Sequence, residues 1–258
     1  MRLFVSLFFT LSLTLLAVTA VRAEPTEVSI RVLSKDAKFI GSSMGGMRIT
    51  LRDAMTGEIL ATGVTSGGTG NTKLLMHKDG GRRAVMVDEK AGGFHTTLDL
   101  EEPRLIEVEA YGPLAQLQGA HRVVSSQWVL PGKHITSGNG WVLELPGFVV
   151  DILSPPAALK MSNDTKVVKI NANVVMMCGC HTEPDGTWDS SKFEIKALIT
   201  HNGKKYGTLD MVYSGPRSQY TTSLPVDKPG LYGVTVYAYD PDNGNTGLGR
   251  TTFEILAK

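Results

Sequence analysis

The side chains best able to do chemistry lie together at Met176-Met177-Cys178-Gly179-Cys180-His181, a run that contains both cysteines of the chain. Thioethers, thiolates and an imidazole form a soft donor set, suited to Cu(I) or Zn(II) rather than to hard cations. A structural zinc site usually separates its cysteines by about two to four residues and takes four ligands. Cys-x-Cys-His offers three, and the fourth would be a methionine, a water or a distant histidine. Haem attachment needs two residues between the cysteines. If the preceding strand continued, Met176, Cys178 and Cys180 would share one face, with Met177 and His181 on the other. A metal site then needs either a turn that swings His181 round or Met176 as third ligand. Two further readings use the same residues. One is structural: small buried thiols or a local disulfide, packed among Met176 and Met177. Extended residues i and i+2 are ~6.5–7 Å apart at Cα, at the edge of disulfide reach, and Gly179 lets the backbone tighten. The other is thiol redox chemistry. A dithiol oxidoreductase normally places its thiol at a helix N-terminus, whereas Thr182-Glu183-Pro184-Asp185-Gly186 reads as a turn.

Other candidate motifs carry less. Gly41-Ser42-Ser43-Met44-Gly45 spells G-x-S-x-G, but a nucleophile elbow needs a helix after its serine, and Met47–Arg52 alternates as a strand. Gly63–Lys73 is glycine-rich yet lacks the Gly-Lys-Ser/Thr ending of a phosphate loop, and no amphipathic helix is expected after it. Asp240-Pro241-Asp242-Asn243-Gly244-Asn245 is acidic but departs from the calcium-loop order, with Thr251 where a bidentate Glu belongs. It reads as a turn between strands. His77, His95, His121, His134 and His201 are scattered singly, and Trp128, Trp141 and Trp188 suit sandwich cores as well as a sugar-stacking platform. No catalytic constellation emerges, and the expectation is a protein that is not an enzyme.

The elements that would position these residues are strands. Val28, Ile30 and Val32 alternate with polar neighbours, as do Met47–Arg52 and Ile106–Ala110, the period of half-buried strands. About eight such runs precede residue 152, with Trp141–Val150 bent at Pro146-Gly147. Ser154-Pro155-Pro156 suits a stiff linker. Beyond it, strands are expected at Val167–Met177, Lys192–Thr200, Lys205–Tyr213, Ser218–Leu224, Leu231–Tyr239 and Arg250–Leu256. Asn202-Gly203 marks a hairpin turn. Short strands at this pace predict an all-β chain of two tandem β-sandwiches, 24–153 and 154–258.

Gly230-Leu231-Tyr232-Gly233-Val234-Thr235-Val236-Tyr237-Ala238-Tyr239-Asp240, followed by Asn243-Gly244-Asn245-Thr246-Gly247, resembles the end of a bacterial immunoglobulin-like domain. Met47–Leu60, with Gly45-Gly46 before it and Thr56-Gly57-Glu58 in its turn, is more distantly similar to transthyretin-like or carboxypeptidase-regulatory-like modules. Both resemblances imply fold, and neither family shares one activity.

Residues 1–23 have the build of a cleaved signal peptide: Arg2, an apolar run Leu3–Ala20, then small Val21 and Ala23 at the −3 and −1 positions, so that the mature chain begins at Glu24. No lipoprotein cysteine or second apolar span follows. The protein is therefore expected to be periplasmic or secreted, with no membrane span after cleavage. Removing Arg2 and Arg22 from the 26 basic residues leaves 24 against 25 acidic ones, without a basic block, which excludes broad electrostatic binding to nucleic acid. The function expected from these features is a non-catalytic accessory protein that presents sandwich loops or edges to a protein or cell-envelope partner. The alternatives are a soft-metal binder using Met176, Met177, Cys178, Cys180 and His181, or a thiol redox protein.

Overall fold

A computed structural model describes residues 22–77, 81 and 84–258. Most of the expected leader, 1–21, lies outside the described residues. Glu24 opens the first strand, and no helix among the described residues is long and apolar enough to cross a membrane.

The first half contains β1 (Glu24–Ser34), β2 (Arg48–Asp53), β3 (Ile59–Val64), β4 (Ser66–Thr69), β5 (Ala91–Leu100), β6 (Arg104–Gly112), β7 (His121–Val129) and β8 (Trp141–Leu145). They form two four-stranded sheets, ordered β4-β5-β1-β8 and β3-β2-β6-β7. Alternation decides which side chains go inside. Ile49 and Leu51 of β2, Ile106, Val108 and Ala110 of β6, and Val28, Ile30 and Val32 of β1 are buried between the sheets. The outer face of β2-β6-β7 keeps its charges in water as a ladder, with Arg52 against Glu107 at 3.5 Å and Arg122 against Glu109 at 3.6 Å. The first and last strands of this half, β1 and β8, run parallel, so their pairing spans more than a hundred residues of chain. One feature departs from the strand-only expectation: α1, the five-residue helix Thr72–Met76, follows the glycine-rich loop and is capped by the Asn71 side chain.

The second half contains β9 (Phe148–Ser154), β10 (Leu159–Met161), β11 (Val167–Met176), β12 (Glu194–His201), β13 (Lys204–Asp210), β14 (Val212–Tyr213), β15 (Gln219–Pro225), β16 (Gly230–Tyr239) and β17 (Thr246–Ile255). One sheet is ordered β14-β15-β11-β9 and the other β10-β17-β16-β12-β13. Lettered along the chain, these are D-E-B-A packed on A′-G-F-C-C′, the strand order of an immunoglobulin-like sandwich. Tyr232, at the start of strand F, is fully buried, stacks on Phe253 at 5.1 Å and donates its hydroxyl hydrogen to the Lys228 carbonyl at 2.9 Å. This is the tyrosine corner of that fold. Two residues on, where antibody domains carry a cysteine, Val234 is buried instead. The Asn202-Gly203 turn joins β12 to β13 with both residues at positive φ, as expected for that pair.

Two strand placements differ from the sequence expectation. Trp141–Val150 is not one bent strand. Its first part is β8 in the first sandwich, and its second part opens β9, which pairs antiparallel with β11 from Met176↔Phe148 to Asn171↔Ser154. The chain crosses between sandwiches at Pro146-Gly147. The Ser154–Pro156 segment, expected as a linker, separates β9 from β10 inside the second pair of sheets. The expected strand Lys205–Tyr213 is likewise two strands, because Met211 turns inward and β14 leaves to pair with β15 in the opposite sheet.

Candidate functional site

Strand β11 stops at Met176, and a tight turn follows. The Gly179 N–H donates to the Met176 carbonyl at 2.8 Å, the Met176 N–H donates to the Cys180 carbonyl at 3.0 Å, and Val175 bridges to His181. Gly179 has φ of 78°, and a Cβ at this position would lie 2.6 Å from the Met44 sulfur of the first sandwich. Conformation and space therefore both select glycine. The turn brings the Cα atoms of Cys178 and Cys180 to 5.4 Å, and the two are joined in a disulfide. That is well below the separation of an extended strand and inside the usual disulfide range.

This geometry revises the face assignment drawn from alternation. Met176 and Met177 are both in the core, not one on each face, and Cys178 is 1% exposed. His181 emerges on the surface, its Nδ1 3.3 Å from the Ser218 hydroxyl. Both cysteine sulfurs are bonded to each other and offer no thiolate. No group of three or more His, Cys, Asp or Glu among the described residues is placed to hold a metal ion. A Cu(I) or Zn site at Met176, Met177, Cys178, Cys180 and His181 would require the reduced protein and a rearranged turn.

The disulfide faces a cleft of about 320 Å³ between the two sandwiches. From the first sandwich, Lys38, Ser43 and Thr69 line it; from the second come Cys180, Trp188 and Arg217. Lys38 donates to the Gly70 carbonyl at 3.3 Å and to Thr72 Oγ1 at 3.1 Å, and Arg217 pairs with Glu183 at 3.4 Å. Trp188 donates its indole N–H to the Asp36 carbonyl across the junction at 3.0 Å. Ser43, the serine of the G-x-S-x-G sequence, sits in a 3-10 turn that leads into β2 and makes no side-chain hydrogen bond among the described residues.

The acidic loop Asp240–Asn245 fastens the same junction. The Asp240 carboxylate accepts from the Asp242 N–H at 3.0 Å and from the Asn243 side-chain amide at 2.7 Å, so its lone pairs serve the turn itself. Asn245 is fully buried: its Oδ1 accepts from the Gly147 N–H at 2.9 Å, and its Nδ2 donates to the Lys35 carbonyl at 3.2 Å. Lys35 Nζ returns a bond to the Asn243 carbonyl at 2.7 Å. Gly147, at the crossing point, has φ of 118°, and a Cβ there would approach the Thr246 carbonyl oxygen to 2.6 Å. This clasp was not legible in the sequence, because nothing in Asp240–Asn245 marks residues more than two hundred positions away as partners.

A second cleft, of about 830 Å³, lies on the outer face of β12, β16 and β17. Leu198, Tyr237 and Leu248 line it from the sheet, and the other wall is Gly119 and Ala120 of the loop before β7 and His121 at that strand's start, with Pro146 at the crossing. Leu198 and Leu248 are each 41% exposed and lie on the same sheet face as Tyr237. Tyr237 donates to Glu194, which pushes the phenol pKa up to about 12 and holds the carboxyl below its ordinary value. The remaining histidines and tryptophans are structural or scattered. His95 bonds Ser29, His134 accepts from the Glu27 N–H, Trp141 is in the core and Trp128 is exposed on β7.

No protein-family model and no curated protein matches the chain. Among solved structures, an engineered protein is 17% identical, with a TM-score of 0.32 over 50% of this chain, which spans only 24% of that one. The fibronectin(III)-like modules of Clostridium thermocellum CbhA are 11% identical, covering 92% of both chains at a TM-score of 0.28. A DUF3823 family protein from Bacteroides uniformis is 14% identical, with 92% of this chain and 100% of that one covered at a TM-score of 0.27. At such scores the immunoglobulin-like assignment rests on this chain's own strand order, register and tyrosine corner.

Proposed function

We propose that the chain is a non-catalytic exported binding protein whose two sandwiches act as one body and offer a polypeptide partner the cleft beside β12, β16 and β17. The observation that carries this reading is the composition of that cleft. Half-exposed Leu198 and Leu248 with Tyr237 provide an apolar floor, and the loop before β7 supplies a second wall from the other sandwich. Aromatic and aliphatic anchors in a concave, partly polar setting are what binding surfaces concentrate. The clasp at Asn245 supports a fixed relation between the two walls, which lowers the ordering cost of binding. The disulfide suits an oxidising compartment, in keeping with the leader-like residues 1–23.

The test is retention of partner by a tagged protein recovered from intact cells. Leu198→Arg combined with Leu248→Arg should abolish co-recovery of any polypeptide held by the wild type. Val167→Arg combined with Val212→Arg, on exposed positions of the second sandwich's other sheet, should leave it unchanged. Equal recovery in both variants would place binding elsewhere.

A further inference from the structure

The Cys178–Cys180 disulfide does little as a staple. It spans one intervening residue, so it removes far less freedom from the unfolded chain than the long loops over which cross-links are effective. The turn that carries it is also closed by its own backbone bonds, from Gly179 to Met176 and from Met176 to Cys180. What sets it apart is its place. Both cysteines line the 320 Å³ cleft, together with Lys38 and the Arg217–Glu183 ion pair. Among the described residues, Lys38 on the facing wall is the one cation of this lining outside an ion pair, and positive charge near a sulfur favours thiolate over thiol. Both residues are in the core, with Cys180 at 8% and Cys178 at 1% exposed, so Cys180 is the less enclosed of the pair.

We propose, beyond the binding role, that this disulfide is a redox site, which oxidises stoichiometrically, one dithiol per protein disulfide, a flexible segment of another polypeptide inserted into the cleft. A substrate thiolate attacks Cys180 Sγ. A mixed disulfide forms, the Cys178–Cys180 bond breaks, and its electron pair leaves on Cys178. The second substrate thiol gives up its proton and attacks the substrate sulfur of the mixed disulfide, and Cys180 leaves as thiolate. The substrate ends as a disulfide, and the protein ends with two thiols that have taken up the two electrons and the two protons.

The experiment uses the purified protein in native buffer with a reduced two-cysteine peptide as probe, followed by acid quench, alkylation and intact mass. The wild type should gain two alkyl labels, with an equal amount of peptide disulfide formed, while its circular dichroism stays native. A Cys178→Ala variant, which leaves Cys180, should react with glutathione disulfide at least tenfold faster than Cys180→Ala. Its pH midpoint should lie below the ordinary thiol value of about 8.5, and Lys38→Gln should move that midpoint upward. Wild-type labels that appear only after unfolding would overturn the proposal without reference to any variant. So would equal rates for the two single-cysteine proteins with an unshifted midpoint.

Discussion

Replacing Asn245 with alanine strips the clasp between the sandwiches of its central side chain. Two bonds are lost, one from the Gly147 N–H at 2.9 Å and one to the Lys35 carbonyl at 3.2 Å. The Gly147 amide is buried, and leaving it without an acceptor costs about 1–3 kcal/mol. The Lys35 carbonyl is partly solvated, so its lost bond costs only about 0.5–1.5 kcal/mol. The expected destabilisation is about 2–4 kcal/mol, equivalent to a Tm lower by roughly 4–16 °C for a chain of this size. Lys35→Met serves as the internal comparison. It removes the part-buried bond to the Asn243 carbonyl and should cost about 1.5 kcal/mol, the low end for a charged donor. Urea unfolding followed by tryptophan fluorescence and by far-ultraviolet circular dichroism measures both, since Trp141 lies in the first sandwich and Trp188 at the junction. If Asn245→Ala were no more damaging than Lys35→Met, the junction would not be held by these bonds.

Further outcomes follow from the same packing. Tyr232→Phe keeps the ring on Phe253 but loses the hydroxyl bond to Lys228, and should cost about 0.5–1.5 kcal/mol in denaturant unfolding, against about 3–5 kcal/mol for Tyr232→Ala. Gly179→Ala meets both a positive φ and the Met44 sulfur. It should destabilise by about 2–4 kcal/mol, and a double-mutant cycle with Met44→Ala should recover the steric share and leave about 1–2 kcal/mol of backbone cost. Asp53 is held below the ordinary carboxylate range, chiefly by the Thr56 backbone N–H, with the Met55 N–H and Arg104 adding to it. Its contribution is therefore present above the unfolded aspartate pKa and lost as pH falls through the lower folded value. A stability titration below about pH 4 should fall more steeply for the wild type than for Asp53→Asn. Intact mass of exported protein should begin at Glu24; a retained leader in the membrane fraction would show an anchor instead.

Side-chain alternation made the strands legible, because the pleat has period two wherever one face is buried. Arg48–Arg52, Ile106–Ala110 and Leu231–Tyr239 lie in strands, with Ile49, Leu51, Ile106, Val108 and Ala110 inside. The Asn202-Gly203 hairpin was legible because its dihedrals demand those residue types, and the resemblance of Gly230–Gly247 to the end of an immunoglobulin-like domain agrees with the sandwich; the Tyr232 corner was not legible. Partnership was the part that local pattern did not carry. Nothing around Phe148–Ser154 specifies pairing with β11 rather than continuation of β8, and Pro146-Gly147 reads equally as a bulge or a crossing. The cysteine cluster was found, but alternation was extended one turn too far: Gly179 ends the strand geometry, and the pair closes on itself. The outer-face leucines went unnoticed because Leu198 and Leu248 are ordinary in composition and become informative only once the sheet shows them facing solvent.

The claim at the centre is that the cleft beside β12, β16 and β17 receives a polypeptide. A photo-crosslinking side chain placed at Leu248, with Val212 on the other sheet of the same sandwich as control, tests it in intact cells. Irradiation should convert the Leu248 protein into a discrete adduct of higher mass and leave the Val212 protein unchanged. No adduct at Leu248, or the same adducts from both positions, would contradict the account.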